Sequence, residues 1–158
     1  MKPEIRSIGD IDMNAIEFLI NEHEKVRSLF KDMNLSSHRK ETKRRIFETI
    51  HMELARHEEM EQTVWYPQFK SKKQLTPEVR HLISEEKNAK KLMDRLSKIK
   101  SSEDWEMELA QLQEDVEHHA SEEENELFPV VKKIFDEDEL LVIGKEMSEF
   151  KRTYKAKP

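Results

Sequence analysis

Apolar residues recur along this chain at steps of three and four, in four long stretches and one shorter one. That spacing lines them up on one face of an α-helix. The first stretch carries Ile16, Leu19, Val26, Phe30 and Met33 and opens at Asp12 or Asn14, either a suitable N-cap. The second carries Phe47, Ile50, Leu54 and Val64, runs to about Phe69, and has Ser36 or Ser37 as its cap. Pro67, which has no N–H to donate, is expected to kink or loosen its last turns. Thr76-Pro77-Glu78 is a helix start, with a cap, a proline and an acid in order. The third seam follows on Val79, Leu82, Ala89, Met93 and Leu96. The fourth helix opens at Ser101 or Ser102, with Ser101 and Asp104 spaced like a capping box, and shows Trp105, Leu109, Leu112, Val116, Leu127 and Val130. Asp136 and Glu139 open a short amphipathic helix on Leu140, Ile143, Met147 and Phe150.

Four long helices joined by short polar connections predict an all-α, up-down-up-down four-helix bundle over about residues 12–135. Residues 1–11 read as an arm lying on it, and residues 137–150 as an extra C-terminal helix. That helix is expected to cap its own bundle rather than pair two chains, which makes the chain a monomer or weak dimer. The basic tail from Lys151 is expected to fray. Residues 1–158 form one domain on this reading. An internal repeat supports the architecture. A shift of 63 lays Leu19-Ile20 on Leu82-Ile83 and His23 on Glu86, and a shift of 62 lays His57, Glu61 and Pro67 on His119, Glu123 and Pro129. Each half is a helical hairpin.

Composition narrows the function. Two glycines in 158 residues, with 39% charged and 35% hydrophobic positions, suit a helical bundle. There is no cysteine, so disulfides, thiolate metal sites and cysteine nucleophiles are excluded. No apolar run approaches the roughly 20 residues of a membrane span, and the N-terminus lacks the apolar core of a signal peptide. A cytoplasmic protein without membrane contact is expected. The net charge of −6 is spread through interleaved acids and bases, so no basic stripe offers itself to nucleic acid.

Each long seam is broken by ionisable residues where apolar ones are due. These are His23 on the first, His57 and Glu61 on the second, Glu86 on the third, and His119 and Glu123 on the fourth. Four helical residues turn through about 400°, so the His and Glu of each His-x-x-x-Glu stand on the same face. Either motif alone would be an ordinary ion pair on an acidic surface. Both together, each followed by an aromatic-Pro pair (Tyr66-Pro67, Phe128-Pro129) and both on inward seams, require compensation for buried carboxylates. A pair of divalent or trivalent metal ions is the cheapest compensation, with imidazole and carboxylate as ligands and a carboxylate able to bridge.

This pattern resembles the hemerythrin-like family of HHE cation-binding domains, over about residues 14–135. The resemblance implies a diiron centre, two iron ions joined by an oxo or hydroxo bridge. His23, His57, Glu61, His119 and Glu123 match the family's ligand positions. Some members also use the acid after the second-helix histidine, here Glu58, although its direction lies about 100° from that of His57. The departure is on the third helix, where Glu86 stands in the place of the family's histidine. Glu86 is the favoured ligand there, His81 the alternative, and a third helix without a ligand the remaining case. His38, His51 and His118 read as surface residues. By resemblance the protein binds dioxygen, nitric oxide or peroxide as a small ligand in oxygen handling or sensing. Peroxide decomposition and iron storage are the alternatives. An anionic Glu86 favours ferric iron and therefore disfavours reversible oxygen carriage.

Overall fold

The computed structural model describes residues 13–35 and 38–155. The expected N-terminal arm and the caps at Ser36 or Ser37 lie outside these residues. Among the described residues every regular element is helical. The helices are α1 (Ala15–Met33), α2 (Lys40–Met60), α3 (Thr76–Leu96), α4 (Ser102–Glu122), α5 (Phe128–Ile134) and α6 (Glu137–Thr153).

Helix starts follow local chemistry. Asn14 caps α1 by accepting from the Glu17 N–H, and Glu17 returns a bond to the Asn14 N–H. Asp136 and Glu139 make the same reciprocal pair at α6. At α4 the Ser101 hydroxyl accepts from the Asp104 N–H. The start of α3 differs from expectation. A 3-10 turn over Lys73–Leu75 precedes it, Leu75 is the capping residue, and Thr76 already lies inside the helix. The 3-10 turn hands its backbone directly to the helix, so no side-chain cap is made.

Cross-helix contacts fix the topology. Glu22 meets His57 and Lys25 meets Glu53 between α1 and α2. His51 meets Ser97, and Arg44 the Ile99 carbonyl, between α2 and the residues just past the end of α3. Glu85 meets His119, and Arg95 meets Glu108, between α3 and α4. Arg27 meets Glu117, and Asn34 meets Gln113, between α4 and α1. In each pair one number rises as the other falls, so every neighbour is antiparallel and the four helices close an up-down-up-down bundle.

The seams are buried as their periodicity demands, in two apolar clusters. One holds Val26, Phe30, Met33, Phe47, Ile50, Trp105 and Leu112. The other holds Ile16, Leu19, Trp65, Phe69, Leu82, Leu127, Phe128 and the α6 residues Leu140, Ile143 and Met147. The interrupting His and Glu residues lie along the seams between these clusters.

α2 and α4 do not end as regular helices. A π-helical turn over Glu61–Trp65 continues α2, followed by a 3-10 turn over Tyr66–Phe69. A matching π turn over Glu123–Leu127 joins α4 to α5. In both, the N–H five residues on, of Tyr66 or Phe128, bonds to the carbonyl of the glutamate. The next residue is proline, which offers no N–H and crowds the carbonyl four residues back, so the turn widens. Pro67 was expected to loosen this region, and the structure shows that Pro129 does the same at the equivalent place.

α6 is longer than expected and completes its own chain's core along α1. Its closest approach is at Gly144, where an added Cβ would lie 2.2 Å from the Met13 carbonyl oxygen. The helix does not fray at Lys151: it continues to Thr153, and Lys151 Nζ lies 2.6 Å from Glu22 Oε2 on α1. That charge-assisted bond anchors the final turn. Gly144→Ala should therefore destabilise the fold by about 1–3 kcal/mol, as overpacking against backbone does. Urea denaturation of the variant and wild type measures this. Equal midpoints would mean that α6 can shift freely on α1.

Candidate metal centre

The residues that break the seams converge. One ligand atom from each of His23, His57, Glu61 and Glu123 forms a group within 4.8 Å, and Glu61, Glu86 and His119 form a second group on the same criterion. Glu61 belongs to both. Glu61 and Glu123 are completely buried and Glu86 nearly so. Each π turn begins at one of these buried carboxylates, Glu61 or Glu123, so the local widening sits where the side chains must be aimed.

The three histidines are held in one manner. His23 Nε2 lies 3.0 Å from Glu123, while its Nδ1 lies 2.7 Å from Glu124. His119 Nε2 lies 3.2 Å from Glu86, while its Nδ1 lies 3.0 Å from Glu85. His57 Nε2 lies 3.4 Å from Glu61, while its Nδ1 lies 3.4 Å from Glu22. Each ring thus turns Nε2 inward and gives Nδ1 to an outer acid. An Nδ1–H donated outward leaves the Nε2 lone pair facing the centre, the tautomer a metal ligand needs. The outer acids are themselves braced: Glu22 by Lys151, and Glu124 by Arg27. They were absent from the sequence expectations. The signal available for them was the repeat, because Glu22 and Glu85 are 63 positions apart.

Tyr66 was also missed. It is the aromatic of the first aromatic-Pro pair, and its hydroxyl lies 2.9 Å from Glu86, 3.2 Å from Glu123 and 3.4 Å from Glu61. One phenol proton cannot satisfy three carboxylates, and Glu61 Oε2 has no hydrogen-bond partner. Gln62 Nε2 donates to Glu86 Oε1 at 2.9 Å. Here the two halves are complementary. Gln62 and Glu124 are repeat equivalents, as are Glu86 and His23. Where the inner group is an imidazole its partner accepts, and where it is a carboxylate its partner donates.

The electrostatics agree. Burial and the neighbouring Glu61 push Glu123 above the usual carboxylate range, against the pull of His23. Burial and the three carboxylates hold Tyr66 protonated well above its ordinary range. Burial alone would lower the histidines, but their acids outweigh it and raise His23, His57 and His119. Burial works against Glu22 too, yet His57 and Lys151 bring it down to about 2. Such a cluster retains protons in place of a cation.

The other expected residues fall elsewhere. Glu58 joins neither group. It is half-buried on α2, and burial raises it to about 8 although His57 and His119 oppose that. His81 and His118 are exposed, on the outer face of α3 and α4. His38 pairs with Asp32, and His51 lies against Ser97 and Phe47. A cavity of about 480 Å³ reaches His23, His57 and His119 between α1, α2 and α4. Its walls include Val26, Phe30, Leu54, Val116 and Ala120, and the exposed Lys31, Asn34 and Glu117 among its lining open it to solvent.

Two outcomes follow for metal uptake. Histidines raised above 6.5 must lose protons to ligate, so uptake should release protons and strengthen as pH rises through and beyond that value. Calorimetric titration with zinc in buffers of different ionisation enthalpy reads the proton count, and zero release would mean that the histidines are already neutral before the metal arrives. Lys151→Ala should weaken uptake by loosening Glu22, by less than the roughly 10- to 100-fold lost when the outer partner of a metal-bound histidine is itself removed. Unchanged affinity in the variant would show that Glu22 needs no brace.

Comparison with known proteins bears on the same residues. No curated relative and no solved structure matches the chain significantly. The family described as the hemerythrin HHE cation binding domain matches residues 14–131, the span that contains every inner ligand candidate. With the buried His/Glu cluster, that match points to metal binding. The chain belongs to the hemerythrin HHE cation-binding family.

Proposed function

We propose that the chain holds two iron ions in this cluster and uses them on dioxygen or a related small oxidant. The observation that carries the reading is three buried carboxylates, Glu61, Glu86 and Glu123, gathered around one phenol with an orphaned oxygen on Glu61. Hard carboxylate oxygens and imidazoles suit iron, and no thiolate is available to favour softer metals. On this reading His23, His57, Glu61 and Glu123 hold one ion, and Glu61, Glu86 and His119 the other. When bound, the pair supplies electron exchange with oxidants that the side chains lack.

The protein's own groups shape that chemistry. The outer acids keep the imidazoles aimed inward. The apolar walls of the cavity admit a small ligand while limiting bulk water. Tyr66 keeps its proton and offers a hydrogen bond at the centre. Glu86 adds negative charge where screening by water is weak, which favours the ferric state. That favours a second reading, turnover of peroxide, over reversible oxygen carriage. Both are distinct from storage, in which iron is held without reaction.

Metal analysis of protein from iron-supplied cells should give two irons per chain. A folded protein that refuses ferrous iron would overturn the proposal. Mixing the iron-loaded protein with oxygen and with peroxide separates the readings: a long-lived oxy absorption supports ligand binding, and sustained oxygen evolution supports peroxide turnover. Glu86→His combined with Gln62→Glu should slow autoxidation of the reduced protein, followed by its charge-transfer absorption. An unchanged rate would remove Glu86 from any role in setting the redox preference.

A further inference from the structure

Outside the buried cluster, α3 and α4 carry a second convergence, of which the function above uses only Glu85, through its bond to His119. His81 and Glu85 stand one turn apart on α3, and His118 and Glu122 one turn apart on α4. The antiparallel packing brings the two pairs face to face. His81 Nε2 lies 3.2 Å from Glu85 Oε2 and 3.2 Å from Glu122 Oε1. His118 Nε2 lies 3.3 Å from Glu85 Oε2 and 3.2 Å from Glu122 Oε1. All four ligand atoms fall within 4.8 Å of one another.

These separations have a geometric meaning. Four donors arranged tetrahedrally at bonds of about 2.0–2.1 Å from a metal stand about 3.3–3.4 Å apart, while a square-planar set would have edges near 2.8–3.0 Å. The four His–Glu separations, at 3.2–3.3 Å, lie closer to the tetrahedral edge than to the square-planar one. We propose that His81, Glu85, His118 and Glu122 form a surface site for a tetrahedrally coordinated divalent cation of the zinc type, linked to the buried centre only through Glu85.

Three further observations favour a cation over simple ion pairing. No lysine or arginine forms an ion pair with Glu85 or Glu122 among the described residues, although basic residues are common on this chain and pair with Glu53, Glu117 and Glu124 elsewhere. Each carboxylate instead shares one oxygen between two imidazoles, as donors grouped around an ion do. Glu78, which lies beside Glu122, adds a third acid and has a buried oxygen without a partner. Glu85 is also pre-oriented: its other oxygen is fixed 3.0 Å from His119 Nδ1, so Oε2 faces the surface group without a separate ordering cost. The two imidazoles and two oxygens make an N2O2 set that suits zinc or cobalt in four-coordination. The exposure of His81 and His118 leaves a direct entry path from solvent.

The test compares wild type with the His81→Ala/His118→Ala double variant and with Glu122→Gln. All three positions lie outside the buried cluster, and both histidines are exposed, so the fold should persist, which circular dichroism checks. Each protein is dialysed against zinc, freed of excess, and its metal counted. Wild type should retain one zinc more per chain than the double variant, and Glu122→Gln should bind that zinc at least tenfold more weakly. Cobalt in place of zinc should give wild type the intense visible bands of a four-coordinate ion in excess of any shown by the double variant. The readout is a difference, so it holds whatever the buried centre contains. Failure of the buried-iron reading appears in the iron count of wild type instead. Equal zinc in wild type and the double variant, or weak six-coordinate cobalt bands in wild type, would overturn the site.

Discussion

Three carboxylates that cannot reach water are the constraint on which this structure depends. Glu61, Glu86 and Glu123 meet between two apolar clusters, where each unpaired charge would cost several kcal/mol. The surrounding design answers that repulsion. Imidazoles face the carboxylates, a phenol sits among them, and outer acids lock the imidazoles in place. Even α6, which stands outside the four-helix arrangement, contributes: Lys151 holds Glu22, and Glu22 holds His57.

The backbone bends to the same requirement. A regular α-helix repeats its side-chain directions about every 3.6 residues. It could not aim Glu61 inward and still bury both Trp65 and Tyr66 with Phe69. The π turn after each glutamate resets the register, so Trp65 enters the apolar cluster while Tyr66 returns its hydroxyl to the carboxylates. Pro67 and Pro129 enforce that widening by withholding a donor. The aromatic-Pro pairs are therefore structural punctuation with a functional consequence.

Much of this was legible in the sequence, for identifiable reasons. Seam periodicity located the helices, because burial of Leu19, Ile50, Leu82 and Leu112 leaves each only one face to show. The broken seams located the inner His and Glu residues, because buried ionisable groups violate a strong rule. The outer acids were not legible individually. Glu22, Glu85 and Glu124 sit among many surface glutamates, and a one-residue offset along a helix does not say which acid leans toward a histidine. Tyr66 was hidden for a different reason. A regular helix carries its side chain away from the seam, and only the π turn brings it back. The Thr76 cap failed because a 3-10 turn supplied the backbone continuity that a cap would otherwise provide.

The repeat explains why Glu86 belongs to the cluster rather than being a damaged histidine position. The repeat relates His57 to His119, Glu61 to Glu123 and Glu22 to Glu85, and those pairs keep the same residue type. Two pairs differ: His23 corresponds to Glu86, and Glu124 to Gln62. Had only the inner residue changed, an outer glutamate would confront the Glu86 carboxylate at hydrogen-bond distance, an arrangement that forces one acid to keep its proton. Gln62 instead offers an N–H to Glu86, and Tyr66 offers a second donor that its equivalent, Phe128, cannot. The exchange is thus supported from two sides. It lowers the symmetry of the cluster and gives one half a doubly hydrogen-bonded carboxylate where the other half has an imidazole braced by an acid. That difference makes the two halves of the cluster chemically unequal, even though each is carried on an antiparallel helical hairpin.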